Sequence, residues 1–222
     1  MLCFSACFVF TTSCKDDEET PAVTKIEGTV VNGSDYDVDE IVGRINIDEK
    51  MSTDFVNNHF SMELPATVDD KYLMLIDYDE EFNISDPNAK VALLSLNGYN
   101  SGSFECFLSY TLPGMENTEK WEMYESALIY VDRNVTITGM DSWYDDDDET
   151  DNVEICNLNL KKGWNWVYNV YTFTVSDRTY TDVSTTVPLN GWKWYFENDY
   201  YKSASMKSTE KIKKTKSNGF FR

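Results

Sequence analysis

The chain has 222 residues, with 19 Lys and Arg against 39 Asp and Glu, a net charge of −20 at pH 7. A polyanion of this kind repels nucleic-acid phosphates and anionic lipid, so neither is expected as a target of its body. A single histidine, and five cysteines of which three fall within the first fourteen residues, leave too few soft ligands for a zinc site.

Leu2 to Phe10 is a short apolar run. As a helix it spans roughly 14 Å, about half of a bilayer core, so it predicts the core of a signal peptide over residues 1–13 and not a membrane span. Small polar residues, Thr12 and Ser13, lead into Cys14, and Lys15, Asp16, Asp17, Glu18 and Glu19 follow at once. The expectation is cleavage before Cys14, a diacylglycerol and an acyl chain such as palmitate on its sulfur, and a flexible acidic tether over 14–23. One acyl chain holds a protein only marginally, at about 0.8 kcal/mol per buried methylene, whereas two or three hold it durably. After cleavage roughly 209 residues remain, enough for one large all-β domain or two small ones.

This start resembles that of the surface lipoproteins of Bacteroidetes, in which a lysine and acids directly after the lipidated cysteine serve as a surface export signal. The resemblance implies a location at the cell outer membrane, lipid-anchored and facing outward. Thr11 stands where many such signals carry an aliphatic residue, and Met1 alone precedes the apolar run.

From Thr24 the pattern changes to short runs rich in Val, Ile, Thr, Tyr, Phe and Trp, separated by Asn, Gly, Asp and Pro. Predicted strands are 25–31, 41–47, 60–64, 71–76, 91–96, 104–111, 126–132, 135–138, 153–160, 164–175, 180–187 and 192–196. No stretch keeps a 3.6-residue apolar period over three turns, and no internal repeat occurs. Many short strands at this spacing predict an all-β fold, an antiparallel sandwich of the Ig-like or transthyretin-like kind, over residues 24–201. A split into two sub-domains near 66–70 stays open.

Gly28-Thr29-Val30, a polar loop, a middle strand and Phe60-Ser61-Met62-Glu63-Leu64-Pro65 resemble the opening of the carboxypeptidase-regulatory-like, transthyretin-like sandwich domains. The likeness covers about a fifth of the chain, and His59 stands where those domains usually carry Gly. The whole chain, with Ile84-Ser85-Asp86-Pro87-Asn88-Ala89-Lys90 and Lys162-Gly163-Trp164-Asn165, resembles lipoproteins of the same bacteria, which implies a compartment and no activity.

Candidate chemistry is sparse. His59 sits at a turn entering a strand, with neither nucleophile nor orienting acid at a useful spacing. Asp141 to Asp151 packs seven carboxylates into what reads as a loop between two strands. Calcium would relieve their repulsion, with Asp145, Asp147 and Asp151 as ligands, but no Gly provides the sharp turn of a calcium loop, and solvated acids are the favoured reading. Asp35 to Glu40 begins like an EF-hand loop and lacks its Gly and closing Glu. Trp164, Trp166 and Tyr168 share one strand face, as do Trp192, Trp194 and Phe196, and both rows read as core. Rings on the remaining faces, Tyr171, Phe173 and Tyr195, together with Trp143, are the candidates for binding a glycan. With 39 acids, a carboxylate pair for glycoside hydrolysis carries no information until its separation is known. Neither a nucleophile elbow, a phosphate loop nor a dinucleotide fingerprint occurs.

Cys106 and Cys156 are the two thiols left to the body. Pairing across a loop of about 50 residues would contribute roughly 4 kcal/mol; two separate buried thiols are favoured, because nothing in the sequence makes their strands neighbours. The last stretch, 203–222, holds five Lys, Arg222 and one Glu with few apolar residues. It predicts a basic disordered tail outside the core. The functional expectation is a non-catalytic surface module that contacts an unknown glycan, protein or envelope component, with outer-membrane lipid reached through Cys14. The alternatives are a glycan-acting surface enzyme and an adhesin or pilus-like assembly subunit.

Overall fold

The computed structural model describes residues 23–46, 49–76 and 80–198. Cys14, the acids after it and the basic tail lie outside that range. The described chain is all β apart from two single-turn 3-10 segments, Gly33–Asp35 and Asp70–Tyr72. The strands are β1 (Lys25–Thr29), β2 (Glu40–Ile45), β3 (Glu49–Asp54), β4 (His59–Glu63), β5 (Met74–Leu75), β6 (Phe82–Ile84), β7 (Lys90–Asn100), β8 (Ser103–Thr111), β9 (Met115–Glu116), β10 (Lys120–Val131), β11 (Val135–Asp145), β12 (Thr150–Leu160), β13 (Gly163–Thr174), β14 (Thr179–Thr185) and β15 (Lys193–Glu197).

β1 and β4 form a small antiparallel pair. All the others join one large sheet along the order β15-β8-β7-β10-β13-β14-β12-β11-β6, with β2, β5 and β9 added at its margins and β3 on β2. Every ladder between these strands is antiparallel except one: β14 runs parallel to β12. The hairpin β13–β14 folds back so that β14 enters between β13 and β12.

Two cores lie on opposite faces of the central strands. Period-two alternation sends Leu128 and Tyr130 of β10 and Trp164 of β13 to one face, and Ile129, Val131 and Val167 to the other. The first core is a sandwich. It packs those rings and Ala92, Leu94 and Leu96 of β7 against Ile26, Phe60 and Met62 of the small pair, Ile41 and Ile45 of β2, and Trp194 and Phe196 of β15. Trp194 lies edge-on to Phe60, with ring centroids 5.0 Å apart, and its indole donates to Glu27 O at 3.2 Å. A Cβ on Gly28 would collide with that indole, which is why the strand carries Gly there. Residues on both sides of 66–70 share this core, from Ile26 to Phe196.

The second core arises because the sheet curls. β10 and β11 are joined by residues 132–134 alone, which reach at most about 15 Å from Val131 to Val135. β12 and β13 are likewise joined by residues 161–162 alone, and β14 does not reach this end. The two short connections draw β10, β13, β12 and β11 round into a roll, and Val131, Val135, Ile137, Leu158, Leu160 and Val167 meet inside it with Phe82 and Val91. Gly139 lets β6 in: a Cβ there would press on Phe82 and on the Glu81 carbonyl.

This end of the roll is stapled by its turns. Asp132 accepts from Lys90 N at 2.9 Å and is bridged by Arg133, which also reaches Asp86 at 3.2 Å. Asn134 accepts from Lys162 N, and Asn165 both accepts from Lys161 N and donates to Lys161 O and Gly163 O. Ser85 pairs with Thr136 through both backbone and hydroxyl. The two motifs 84–90 and 162–165 thus meet at one end of the fold.

Three sequence expectations change here. Residues 71–76 are a 3-10 turn followed by a two-residue strand, because Asp69 accepts from Lys71 N and turns the chain. The acidic stretch 141–151 is no long loop. β11 continues through Trp143 to Asp145, β12 resumes at Thr150, and only four residues turn between them. β3 was not anticipated, since Glu49-Lys50-Met51-Ser52-Thr53-Asp54 has too few apolar residues to alternate. Cys106 belongs to the first core and Cys156 to the second, and both are buried thiols outside any disulfide. Burial pushes the Cys106 thiol up to about 12.

Candidate functional site

The inner face of the roll changes character along its length. Cross-strand register arranges it in rows, since residues directly opposite each other point to the same side. Ile137–Leu158 and Val167–Ala127 form an apolar row next to the stapled end. The next row is Gly139, Cys156, Ser184, Asn169 and Glu125. Then come Asp141, Glu154, Asp182, Tyr171 and Met123, and finally a rim of Trp143, Asn152, Tyr180, Phe173 and Trp121. β14 contributes to these last three rows only, because it ends at Thr185.

The third row is acidic and enclosed. Glu154 and Asp182 are cross-strand neighbours, and both are buried. Tyr171 lies opposite Asp182 and donates its hydroxyl to Glu125. The rings of Tyr171 and Tyr180 are stacked, 6.3 Å apart at 25°. Glu125, Tyr171 and Tyr180 keep partial contact with solvent, so this part of the inner face is a recess. Asn169 is satisfied, accepting from Ser184 Oγ at 2.9 Å.

Two buried acceptors in the recess have no partner, Asn152 Oδ1 and Asp182 Oδ1. Asn152 is only 1% exposed, and its amide donates to Thr150, which leaves the oxygen turned away from that hydrogen bond. A third such group among the described residues, Trp192 Nε1, sits elsewhere, among Tyr110, Tyr124 and Tyr168 on the first-core side.

Burial raises the carboxyl of Asp182 to about 7, with the charges of Glu154 and Glu125 adding to the effect. Burial likewise raises Glu125 to about 7; the Tyr171 hydrogen bond opposes the shift and Glu197 of β15 adds to it. Burial and the same acids push Tyr171 and Tyr180 well up, so both hydroxyls keep their protons. Among the described residues, the inward positions of β10–β14 include no Lys or Arg. Nor, among the described residues, do three His, Cys, Asp or Glu side chains converge so as to hold a metal ion.

Of the sequence candidates for glycan contact, Trp143, Tyr171 and Phe173 come together on this face. Tyr195 does not: it lies on β15, opposite Ser109. Asp145, Asp147 and Asp151 sit in the β11–β12 hairpin. There the Asp145 carboxylate accepts from the amides of Asp147 and Asp148 and shapes the turn. Asp151 lies opposite Tyr144, on the outer side of the sheet. Arg178 from the β13–β14 turn donates to the Asp148 and Glu149 carbonyls and ties the two turns together. His59 is exposed, with Thr29 Oγ1 3.5 Å from Nδ1. A shallow surface hollow is lined by Thr67, Val68, Asp69, Lys71 and Tyr72, with Lys71 Nζ 4.5 Å from the centre of the Tyr72 ring.

Glu125, Glu154 and Asp182 were not singled out by the sequence. Their signal was phase: Glu154 alternates in step with Cys156, Leu158 and Leu160, and Glu125 with Ala127 and Ile129. An acid in the buried phase of a strand differs from an acid on its wet side, even in a chain this acidic. Comparison with family models, with curated proteins and with solved structures gives no match.

Proposed function

We propose that this chain is an outer-membrane surface lipoprotein, anchored through Cys14, whose β body is a non-catalytic binding module with the acidic, aromatic-rimmed recess as its site. The observation that carries the reading is the inner-face gradient from an apolar, stapled end to rows bearing acids, amides and rings. Flat rings beside carboxylates and amides suit a polyhydroxylated or amine-bearing ligand, the rings contributing contact area and the oxygens direction. The reading is tested with the full chain in detergent micelles against a panel of glycans, following tryptophan fluorescence. Saturable quenching that Trp143→Ala and Phe173→Ala abolish supports it; binding that is indifferent to both variants places the site elsewhere. Palmitate labelling that is lost in Cys14→Ser supports the anchor, and equal labelling of both proteins removes it.

A second reading, a glycan-acting surface enzyme, draws on one observation. Glu154 and Asp182 are adjacent carboxyls, and Asp182 is held protonated near neutral pH, as a general acid must be. Release of reducing sugar that Asp182→Asn abolishes would favour it over the binding module. An adhesin or assembly subunit would need an exchangeable edge strand, and no observation here favours it.

A further inference from the structure

The outer side of β10–β14, back to back with the recess, carries a row of side chains that neither core absorbs. Cross-strand register lines up Tyr124 of β10, Val170 of β13, Val183 of β14, Ile155 of β12 and Met140 of β11. Tyr124 meets Trp192 edge-on. The other four belong to neither core: Met140 is 63% exposed, and Val170, Val183 and Ile155 are half-buried. An antiparallel sheet with one wet face commonly alternates apolar in and polar out. Here the outward phase is apolar across four neighbouring strands.

The flanking rows are small and almost uncharged. Thr172, Thr181, Val153 and Ser142 form one, and Thr185, Asn157 and Thr138 continue the other beyond Tyr168. Thr174, Thr179 and Asp151 lie one row further out. At the outward positions of these rows the charged groups are Lys120 and Glu122, which pair with each other at the β10 margin, and Asp151. The whole chain carries −20.

That contrast selects the partner. Two copies of a polyanion repel each other wherever their acids meet, and a nearly neutral face is where they can touch. Thr and Ser hydroxyls donate and accept alike, so a Thr-lined face is complementary to itself. A lipid surface suits it less, because the face lacks the Lys- and Arg-rich border that such contact draws on. We propose that this face is the interface on which a second copy of the chain stacks, sheet against sheet, with Val170, Val183, Ile155 and Met140 at its centre. A two-fold axis along their row sets each of the four against its own counterpart. β14 reaches only this end, so the roll is one strand wider here and its outer face less curved. Four strands about 4.8 Å apart and four rows about 6.7 Å apart give about 500 Å² on each copy, hence about 1,000 Å² for the pair, the threshold of a specific interface. The exposed Val187 and Leu189, on the segment that leaves β14, add to its margin. The two recesses face away from the contact, so the pair presents both at once.

Sedimentation of the full chain in density-matched detergent, from about 1 to about 100 μM, reads the association. A dimer is expected. Added salt should tighten it, because salt screens the repulsion between two polyanions and leaves an apolar contact intact. Val183→Glu and Ile155→Glu should each weaken it at least tenfold with the circular dichroism spectrum unchanged; two variants are used so that a folding defect in one leaves the other to decide. Val183→Cys should give a disulfide-linked dimer on mild oxidation. A wild-type chain that stays monomeric across the range overturns the proposal, and so does a dimer that both Glu variants leave intact. An association that salt dissolves also overturns it and assigns the contact to charge pairs elsewhere. A monomeric chain whose Val183→Cys form crosslinks to a different envelope protein on intact cells gives the face to that partner instead.

Discussion

Along β12, Leu158 and Leu160 look inward on Ile137, Val135 and Val167, while Glu154 and Asn152, on the same face of the same strand, meet Asp182, Tyr180 and Trp143. The two ends of the roll share strands, twist and register. They differ in what the inward phase carries and in how the turns are held. At one end the inward groups are apolar apart from Asn165, whose amide is hydrogen-bonded, and the turn groups are tied by Asp86, Asp132, Arg133, Asn134 and Asn165. At the other, acids occupy core positions and two acceptors have no donor. A sheet that can pack one end to completion can pack the other, so the acidic end is the departure that a binding role would account for.

The comparison breaks most visibly by substitution on β12. Leu158→Ala, at a fully buried site, should cost about 2–5 kcal/mol in urea denaturation. A loss below about 1 kcal/mol would mean the stapled end is loosely packed. Next in size is pH. In the folded chain Asp182 and Glu125 keep their protons to about 7, against about 4 when unfolded, so between those values the folded state binds more protons. Stability should therefore fall as pH rises from about 4 to about 7, by on the order of 2–4 kcal/mol, and level off above. Stability that climbs across that window contradicts the buried acid row.

Asp182→Asn sharpens the same contrast. Removing the Asp182 charge beside buried Glu154 should raise stability by about 1–3 kcal/mol at pH 8 and flatten the pH dependence. A destabilised variant with the slope intact would assign the pH dependence to another group. The smallest effect belongs to the stapled end. Hydrogen bonds from Asn88 N and Arg133 hold Asp86 below the usual carboxylate range, and those from Arg133 and Lys90 N do the same for Asp132 against its burial. Stability from these groups is present above their unfolded values and is lost in acid, below about pH 4. Arg133→Ala should lower the melting temperature by only a degree or two near pH 7, since this pair is solvent-screened, and by less near pH 3.

Much of the fold was legible because strands announce themselves through alternation and through Asn, Gly and Asp between runs. The all-β class and the positions of β7, β8 and β13 follow from that signal, and so does the core role of Trp164, Trp194 and Phe196. The roll was not legible. It depends on the short 132–134 connection and on β14 entering parallel to β12, a pairing between residues that no local pattern links. The recess was half legible. Trp143, Tyr171 and Phe173 stood out as rings, whereas Glu125, Glu154 and Asp182 were hidden among 39 acids until register put them in one face. The acidic hairpin misled because a dense charge run resembles a loop, although Trp143 and Tyr144 extend β11 almost to its tip.

The parallel insertion of β14 also sets an order of events in time. The hairpin β11–β12 can form as soon as residue 160 is delivered, but the far side of β12 has no partner until residues 179–185 arrive and dock. A chain delivered N-terminus first would carry an open strand edge through that interval, and open edges recruit other strands. Late, non-local pairing is also slow. The step most exposed to misassembly is thus the arrival of one seven-residue strand, and whatever escorts the newly made protein has to shield β12 until then.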